Sequence, residues 1–248
     1  MMKLTIADTK YLKDSISVIS ELVNEARFKI TPNSMELVAM DPANVAMVIF
    51  KLLSSAFTEF TVEKDTEISV NLSNFKQILR RAKPSDMLTL ELEEGKLNIV
   101  FKGDNVRTFS LPLIDIDERE QKIPNLEFPI TVKTKSSKLG DAIEDVDVVA
   151  ESVSFVVEPK KMTIHAEGDL SKAHIELKAD DSTHIVTNTQ DKIKSKYSVE
   201  YLKKMLTASK LAEDLTIQFN KDYPLKLEFK EMDKLLLAFI LAPRVEND

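Results

Sequence analysis

Few side chains in this sequence have the spacing that catalysis or metal binding requires. The histidines are His165, His174 and His184, and none has a second histidine four positions away. The chain has no cysteine and its four glycines are scattered, which excludes thiol chemistry and a glycine-rich phosphate loop. The acidic pairs at 91/93 and 115/117 have no third ligand near them in the sequence. We therefore predict neither an enzyme nor a metal site, and we expect no cofactor.

Cations are concentrated on one predicted helix. Residues 71–83 include four cations and no acid, although the whole chain carries a net charge of −7. At about 100° per residue, Arg80 and Arg81 point away from the apolar stripe of this helix, and Lys76 and Lys83 flank the stripe. A cationic helix face is typical either of plain solvent-exposed surface or of a surface that meets phosphates.

The chain contains an internal repeat. A single shift of 127 positions superimposes apolar residues along both halves. The matched pairs include Leu12 with Leu139, Ile16 with Ile143, Phe28 with Phe155, Phe75 with Leu202 and Leu79 with Leu206. Because one offset holds over the whole length, the sequence predicts two domains of similar topology.

The repeat places a second basic helix at residues 198–210. It carries Lys203, Lys204 and Lys210 with a single acid, Glu200. Cations at repeat-related positions favour a surface that faces phosphates. Further cations on the predicted first helix of each half are Lys10, Lys13 and Lys138.

Each half has the apolar periodicity of two helices and several strands. The 3.6-residue period predicts helices at 10–23 and 73–83, and at 138–149 and 198–210 in the second half. Alternating apolar residues predict strands at 88–92, 97–101 and 109–113, which the second half repeats at 215–219, 225–229 and 235–241. The fold class is therefore α+β, with two helices on one face of a mainly antiparallel sheet in each half.

Residues 115–129 link the two halves. Two prolines and a high density of charge predict an extended connector rather than a helix or strand. Its apolar residues Ile123, Leu126 and Phe128 either pin the connector to the body or form the wall of a groove that is open to a partner. We expect domains at residues 1–117 and 131–248, joined by a connector at 118–130.

Composition indicates the class of protein and its compartment. The chain is 43% hydrophobic and 30% charged, so no segment has the roughly 20 uninterrupted apolar residues that span a bilayer. The first residues lack the apolar stretch of a secretory signal. We expect a cytoplasmic protein that does not meet a membrane.

Four stretches carry a resemblance to a known family. They are Leu-Val-Ala-Met-Asp-Pro-Ala-Asn-Val at 37–45, Asn-Leu-Ser-Asn-Phe-Lys-Gln-Ile-Leu at 71–79, Arg-Thr-Phe-Ser-Leu-Pro-Leu-Ile-Asp at 107–115 and Leu-Ala-Pro-Arg-Val at 241–245. Essentially from end to end, the sequence resembles the archaeal proliferating cell nuclear antigen family of sliding clamps.

The resemblance implies a mechanism without catalysis. It implies a DNA-clamp fold in which three subunits join head to tail, with helices lining the hole of the ring. Such a ring would be a processivity factor for DNA polymerase in replication and repair, and it would slide on double-stranded DNA without reading its sequence. The acidic net charge is compatible with this function, because an acidic exterior can coexist with a basic bore. The nucleoid of an archaeon is the expected location.

The resemblance also implies three sets of site residues. With the helix periodicity, it places the DNA-binding cations at Lys10, Lys13, Lys76, Arg80, Arg81, Lys83, Lys138, Lys203, Lys204 and Lys210. It places a groove for partner peptides at Met40, Asn44, Val45, Met47, Ile123, Pro124, Phe128, Pro224, Ala242, Pro243 and Val245. It places the subunit interface on two strand edges, at Thr108, Phe109, Ser110 and Leu111 and at His174, Ile175, Glu176 and Leu177. The implied partners are DNA polymerase, the clamp loader, flap endonuclease and DNA ligase, which would bind through short peptide motifs.

Other interpretations stay open at this point. The chain could be one subunit of an obligate heterotrimer of related clamp subunits rather than a homotrimer. It could be a peptide-binding scaffold that never meets DNA, in which case the cations of residues 71–83 are only a solvated face. An enzyme with an acidic cleft is disfavoured, because the histidine, cysteine and glycine signatures of catalysis are missing.

Overall fold

The computed structural model describes residues 1–116 and 121–245, which form two units. The first unit comprises Met1–Pro42, Val48–Ile123 and Glu231–Leu237, and the second comprises Ala43–Met47, Pro124–Lys230 and Ala238–Asp248. The domain bounds expected from the sequence stay a prediction, and residue 117, where the first domain was expected to end, lies outside the described residues.

Four helices and two series of strands alternate along the described chain. The helices are α1 (Lys10–Ile19), α2 (Leu72–Leu79), α3 (Ser136–Asp147) and α4 (Val199–Leu206), and 3₁₀ turns lie at Ser54–Ala56 and Thr207–Lys210. The strands of the first series are β1 (Met2–Ile6), β2 (Glu25–Thr31), β3 (Ser34–Met40), β4 (Ala46–Leu53), β5 (Glu59–Val62), β6 (Thr66–Asn71), β7 (Met87–Glu93), β8 (Lys96–Lys102) and β9 (Val106–Pro112). Those of the second series are β10 (Ile130–Lys135), β11 (Ser152–Glu158), β12 (Lys161–Glu167), β13 (Lys172–Lys178), β14 (His184–Thr187), β15 (Ile193–Ser198), β16 (Asp214–Phe219), β17 (Leu225–Glu231) and β18 (Leu235–Leu241).

Both units have the same strand order. In the first unit β5, β1, β7, β8 and β9 lie side by side, and so do β6, β2, β3 and β4. In the second unit the corresponding orders are β14, β10, β16, β17, β18 and β15, β11, β12, β13. The strand pairs whose registers the structure defines are antiparallel. The predicted α+β class and the predicted duplication are thereby confirmed.

The core of the first unit lies beneath α1 and α2, which pack against each other. Leu12 and Ile16 of α1 and Phe75 of α2 are fully buried, as the helical spacing predicts. The ring of Phe28 in β2 makes edge-to-face contacts with Phe50 and Phe75, with centroids 6.3 and 6.4 Å apart. The aromatic side chains therefore join the helices to the strands.

The second unit has an equivalent core beneath α3 and α4. Phe155, which the repeat aligns with Phe28, contacts Tyr197 and Phe219 edge to face, with centroids 5.5 and 6.0 Å apart. The Tyr197 hydroxyl donates to the carbonyl of Tyr223 at 2.8 Å, so this buried phenol has a partner. Burial raises the pKa of Tyr197 above its usual range.

Several predicted helix ends were wrong. The first helix ends at Ile19 rather than at residue 23, because the N–H groups of Glu21 and Leu22 bond to carbonyls three residues back and so tighten the chain into a turn. The third helix occupies 136–147 rather than 138–149, since Ser136 is held by bonds from its N–H to Glu213 and from its hydroxyl to Ala212. The fourth helix ends at Leu206, and its predicted last turn is a 3₁₀ turn.

The connector predicted at 115–129 has no helix or strand where it is described, at 115–116 and 121–129, and Ile130, the last residue of its expected bounds 118–130, begins β10. The N–H of Ile114 donates to the carbonyl of Ser69 at 3.0 Å, and Arg27 Nη2 donates to the carbonyl of Ile116 at 2.6 Å. These bonds fix the beginning of the connector to the first unit. None of the helices in the described part of the chain is long and apolar enough to cross a membrane.

Candidate functional site

The basic helix α2 is shorter than predicted. The side chain of Asn71 caps it by accepting the N–H of Asn74 at 3.0 Å, and Leu79 is its last residue. Pro84 disfavours helical geometry at the residue before it, so Lys83 lies in the following loop. The predicted helix to residue 83 was therefore wrong, and Arg80 marks the helix end.

A buried carboxylate organises the loop that follows α2. The Asp86 side chain accepts the N–H of Lys83 at 2.6 Å and a hydrogen bond from Arg107 Nη2 at the start of β9. Arg107 Nη1 donates to the carbonyl of Arg81 at 3.0 Å. The Lys83 N–H, with Arg107, holds the pKa of Asp86 below its usual range. A Cβ on Gly103 would lie 2.3 Å from Asp86 Oδ1, so a larger residue there would displace this carboxylate.

The cations of the first unit differ in their pairing. Lys76 Nζ lies 2.6 Å from Glu21 Oε1 and is therefore neutralised. The remaining candidates make no ion pair within the described residues, and all but the half-buried Lys13 are exposed. These candidates are Lys10, Lys13, Arg80, Arg81 and Lys83.

The lysines of the second basic helix are largely neutralised. Lys203 Nζ lies 2.6 Å from Asp147 Oδ2, which raises the pKa of Lys203. Lys204 Nζ lies 2.6 Å from Glu200 Oε1, which lowers the pKa of Glu200. The cationic face expected on this helix is therefore weaker than the one in the first unit. Within the described chain, the exposed Lys210 makes no ion pair.

Lys138 in α3 forms hydrogen bonds with the turn that follows β13. Its ammonium group lies 2.8 Å from Asp180 Oδ2, 2.7 Å from Ser182 Oγ and 3.1 Å from Thr183 Oγ1. Lys138 and the Ser182 hydroxyl and N–H hold the pKa of Asp180 well below its usual range. An ammonium with three acceptors has little capacity left for a phosphate.

The strand β9 has a free edge. It is the last strand of its sheet, and the N–H of Leu113 just beyond it donates back to the carbonyl of Gly95 at 3.0 Å. Because bonded pairs alternate in an antiparallel ladder, the odd-numbered residues of β9 bond to β8. Thr108 and Ser110 therefore direct their N–H and C=O groups away from the sheet.

The strand β13 has a free edge of the same kind. It is the last strand beside β12, and the N–H of Ala179 donates to the carbonyl of Lys160 at 3.0 Å. The same alternation leaves the backbones of His174 and Glu176 facing outward. The side chains of Leu111 on β9 and Leu177 on β13 are only 3% and 8% exposed, so these two predicted interface residues are buried in their own units.

Two histidines lie opposite each other on β12 and β13. The ring centroids of His165 and His174 are 6.3 Å apart. His165 Nε2 lies 3.8 Å from Glu167 Oε2, and His174 Nε2 lies 3.4 Å from Glu176 Oε1. Each ring therefore has a separate carboxylate neighbour. Within the described residues, no three histidine or acidic side chains are placed to hold a metal ion.

In the second unit, residues predicted to line the peptide groove lie on several segments. The Phe128 ring packs edge to face on Tyr223, next to Pro224, with centroids 6.0 Å apart. The N–H of Ala242 donates to the carbonyl of Val45 at 2.9 Å. Asn44 adopts a left-handed conformation with φ of 56° at the exposed end of this segment.

Other predicted groove residues differ in exposure. Met47 is only 7% exposed and contributes to the core rather than to an open wall, whereas Val245 is 66% exposed. Pro124 is exposed, and Pro224 and Pro243 are half-buried. Met40 and Ile123 fall in the first unit, where Met40 is half-buried and Ile123 is exposed.

Two family models cover almost the whole chain. The model of the proliferating cell nuclear antigen N-terminal domain matches residues 1–121, and that of the C-terminal domain matches residues 122–244. The chain belongs to the proliferating cell nuclear antigen family. The resemblance found in the sequence is confirmed, and with it the clamp fold and the function of a DNA polymerase sliding clamp.

Individual relatives support the assignment over their full length. A protein of Nanoarchaeum equitans named DNA polymerase sliding clamp is 36% identical over 247 residues, 98% of this chain and 99% of its own. A protein of the same name from Pyrococcus furiosus is 36% identical over 94% of both chains. The crystal structure of PCNA from Thermococcus kodakaraensis matches with a TM-score of 0.92 and 28% identity, over 98% of this clamp and 100% of that chain.

Sequence reasoning missed the contact between Asp86 and Arg107. These residues are 21 positions apart, and no spacing rule links them, although Arg107 begins one of the four stretches that resemble the family. The internal repeat offers no guide, since it aligns Asp86 with Glu213, which instead pairs with Lys135. Within the described residues, the repeat-related position therefore has no equivalent of this contact at the end of the basic helix.

Proposed function

We propose that this clamp closes with further copies into a three-membered ring around duplex DNA. The observation that carries the proposal is the pair of different free edges, β9 in the first unit and β13 in the second. When two different patches join head to tail and the rotation closes, a ring results and no strand edge stays free. Antiparallel pairing of Thr108 and Ser110 with His174 and Glu176 of a neighbour would satisfy the outward backbone groups.

Hydrogen bonds within each unit support this pairing. By element order, β4 and β18 are the repeat equivalents of β13 and β9. In the first unit, the N–H of Leu53 at the end of β4 donates to the carbonyl of Lys234, the residue just before β18. In the second unit, the N–H of Ala242 just after β18 donates to the carbonyl of Val45, the residue just before β4. Elements equivalent to the two free edges thus already bond to each other inside one chain.

The DNA partner is proposed from the unpaired cations. Arg80, Arg81 and Lys83 lie exposed together at the end of α2 and make no ion pair among the described residues. Such groups attract backbone phosphates of any sequence, so the ring would slide while remaining topologically linked to DNA. Lys76, Lys138, Lys203 and Lys204, which are held by carboxylates, would contribute less.

The proposed role is to hold other proteins on DNA rather than to catalyse a reaction. DNA polymerase, the clamp loader, flap endonuclease and DNA ligase would bind through short peptides with apolar anchors, which fit the half-buried Phe128 and the exposed Val245. The clamp would act in the cytoplasm, at the nucleoid of an archaeon. Assembly with related, non-identical subunits is the second candidate, because two free edges fit a similar neighbour as well as an identical one.

Assembly is tested at the β9 edge. Proline at Ser110 removes an N–H that points away from β8, so it disturbs the free edge while sparing the ladder. Sedimentation of the purified chain over a range of concentrations should give three chains for the natural protein and fewer for Ser110→Pro. Ser110→Ala is the control, because it removes only the hydroxyl bond to Asn98. A fully assembled proline variant at low concentration would place the interface elsewhere, and a natural protein that stays a single chain would favour missing partners.

Peptide binding is tested at Phe128. A synthetic peptide with a glutamine, an aliphatic residue three positions later and two following aromatics would place its anchors in the groove. Phe128→Ala should weaken its binding in calorimetry by about 2 kcal/mol, because truncating a central contact of an anchor pocket costs this much or more. Equal affinities for both proteins, with folding and assembly intact, would show that the groove lies elsewhere.

A further inference from the structure

A basic pocket lies at the end of β15 in the second unit. It has a volume of about 250 Å³ and lies between β15, the turn at 221–222 and the C-terminal segment at 244–245. The N–H of Arg244 donates to the carbonyl of Lys196 at 2.7 Å, and that of Asp222 donates to the carbonyl of Lys194 at 3.4 Å. Backbone bonds therefore hold the three segments around the pocket.

The pocket has an excess of positive charge in an acidic protein. Lys194, Lys196, Lys221 and Arg244 line it with a single carboxylate, Asp222. Lys194, Lys221 and Arg244 are exposed and form no ion pair among the described residues. Cations that outnumber the nearby carboxylates repel one another, so an anion bound there is stabilised.

Besides Asp222 in the lining, Glu200 is an acid whose pKa responds to one of these cations, Arg244. The charge of Arg244 contributes to lowering the pKa of Glu200, but the main cause is the hydrogen bond from Lys204. Glu200 is therefore already paired, at 2.6 Å from Lys204 Nζ. Glu200 therefore leaves Lys194, Lys221 and Arg244 available to an external anion.

The pocket shares one residue with the proposed peptide groove and adjoins another in sequence. Asp222 in the pocket precedes Tyr223, whose ring packs on Phe128 with centroids 6.0 Å apart. Val245, one of the predicted groove residues, also lines the pocket. A peptide with an apolar anchor on Val245 would therefore bring its neighbouring residues close to these cations.

We propose that this pocket selects partner peptides that carry Asp or Glu residues next to their apolar anchors. The inference rests on the proposed peptide groove and adds to it a preference set by charge. The apolar anchors supply most of the affinity, whereas the acidic flank decides which partners bind this clamp in preference to others. Its contribution falls with salt, since the cations are exposed.

The test compares three synthetic peptides by calorimetry against the full-length clamp. All three peptides have the same apolar anchors. They differ in the four residues that flank the anchors on both sides, which are all Glu in the first peptide, all Gln in the second and all Lys in the third. At low salt we expect the Glu peptide to bind about tenfold more tightly than the Gln peptide, from several exposed ion pairs of modest strength each. The Lys peptide should bind more weakly than either.

Charge reversal at the pocket supplies the second arm. Lys221→Glu with Arg244→Glu should abolish or reverse the order of the three peptides, whereas Lys64→Glu, an exposed residue in the β5–β6 turn, should leave it unchanged. Near-equal affinities of all three peptides for the natural clamp, with binding still lost in Phe128→Ala, would overturn the charge preference but keep the groove. Failure of every peptide to bind would overturn both. An equal response to Lys64→Glu would show an effect of overall charge and would also overturn the proposal.

Discussion

The unpaired cations at the end of α2 lead to a quantitative prediction about DNA binding. Arg80→Ala with Arg81→Ala removes two exposed charges and leaves the buried stripe of Leu72, Phe75 and Leu79 intact. Each phosphate contact that is lost lowers the slope of log affinity against log salt by about 0.9. The double variant should therefore have a slope smaller by about 1.8 for every chain that contacts DNA.

A matched variant separates this expectation from a simple effect of net charge. Lys203→Ala with Lys204→Ala removes the same number of charges, but both lysines are held at 2.6 Å by carboxylates. Because paired lysines release few counterions, the slope should change much less, although the affinity itself falls when the carboxylates of Asp147 and Glu200 lose their partners.

The measurement is the fluorescence anisotropy of a labelled duplex, titrated at several salt concentrations. Between about 50 and 200 mM salt, the natural clamp should lose about tenfold more affinity per contacting chain than the arginine variant. Sedimentation and thermal unfolding of the variants establish that assembly and folding are unchanged. If both double variants lower the slope equally, ion pairing does not decide which cations meet DNA, and the reasoning is refuted.

Two further predictions concern stability. Gly140→Ala should raise the free energy of unfolding by about 0.5–1 kcal/mol, because Gly140 lies inside α3 and its added Cβ meets no atom within 4 Å. Gly168→Ala should lower the free energy of unfolding by about 1–3 kcal/mol, because its Cβ would lie 2.3 Å from the carbonyl oxygen of Val149. Denaturant titration of both variants measures these changes. The interaction of Asp180 with Lys138 depresses a carboxyl pKa, so its stabilisation is present above the ordinary value of 3.8 and is lost as the pH falls below it through the lower pKa of the folded state. In Asp180→Asn, the free energy of unfolding should therefore fall less steeply as the pH is lowered below 3.8. Urea titrations at several pH values measure this dependence, and the same dependence in the variant and the natural protein would contradict the assignment.

The repeat could be predicted because the spacing of apolar residues along the chain is the same in both halves. The strands β2 (Glu25–Thr31) and β11 (Ser152–Glu158) lie 127 positions apart, the offset at which apolar residues matched in the sequence. The helices α2 and α4 share the same offset. Apolar residues at a fixed period must face one core, whichever neighbours complete that core.

The helix ends were predicted less well, because single hydrogen bonds decide them. The Asp86 carboxylate holds the Lys83 N–H in the loop after α2, and the Ser136 hydroxyl bonds to Ala212 at the start of α3. Both bonds join residues whose positions depend on the surrounding fold. The helical spacing of apolar residues can continue beyond the last residue of a helix, so this spacing does not indicate where the helix ends.

The partners of the predicted DNA-binding cations could not be predicted from the sequence either. Sequence identified them by type and helix face, but Lys76 meets a glutamate 55 positions away, Lys203 an aspartate 56 away and Lys138 an aspartate 42 away. No spacing rule relates such partners. Lys204 is different, because Glu200 lies four positions before it on the same helix, a spacing at which an ion pair is expected. Four of the ten predicted cations were thus treated as available when the structure shows them paired.

The sequence by itself determined the family, the duplication and the α+β class of this clamp, since these follow from residue types and from the period of apolar positions along the chain. Only the tertiary structure decided which cations are unpaired, which backbone groups of β9 and β13 face outward, and that four basic residues meet around one pocket beside Phe128. The physical reason is that hydrogen bonds and Coulomb interactions depend on distances of a few ångströms in space, and these distances exist only after the chain has folded.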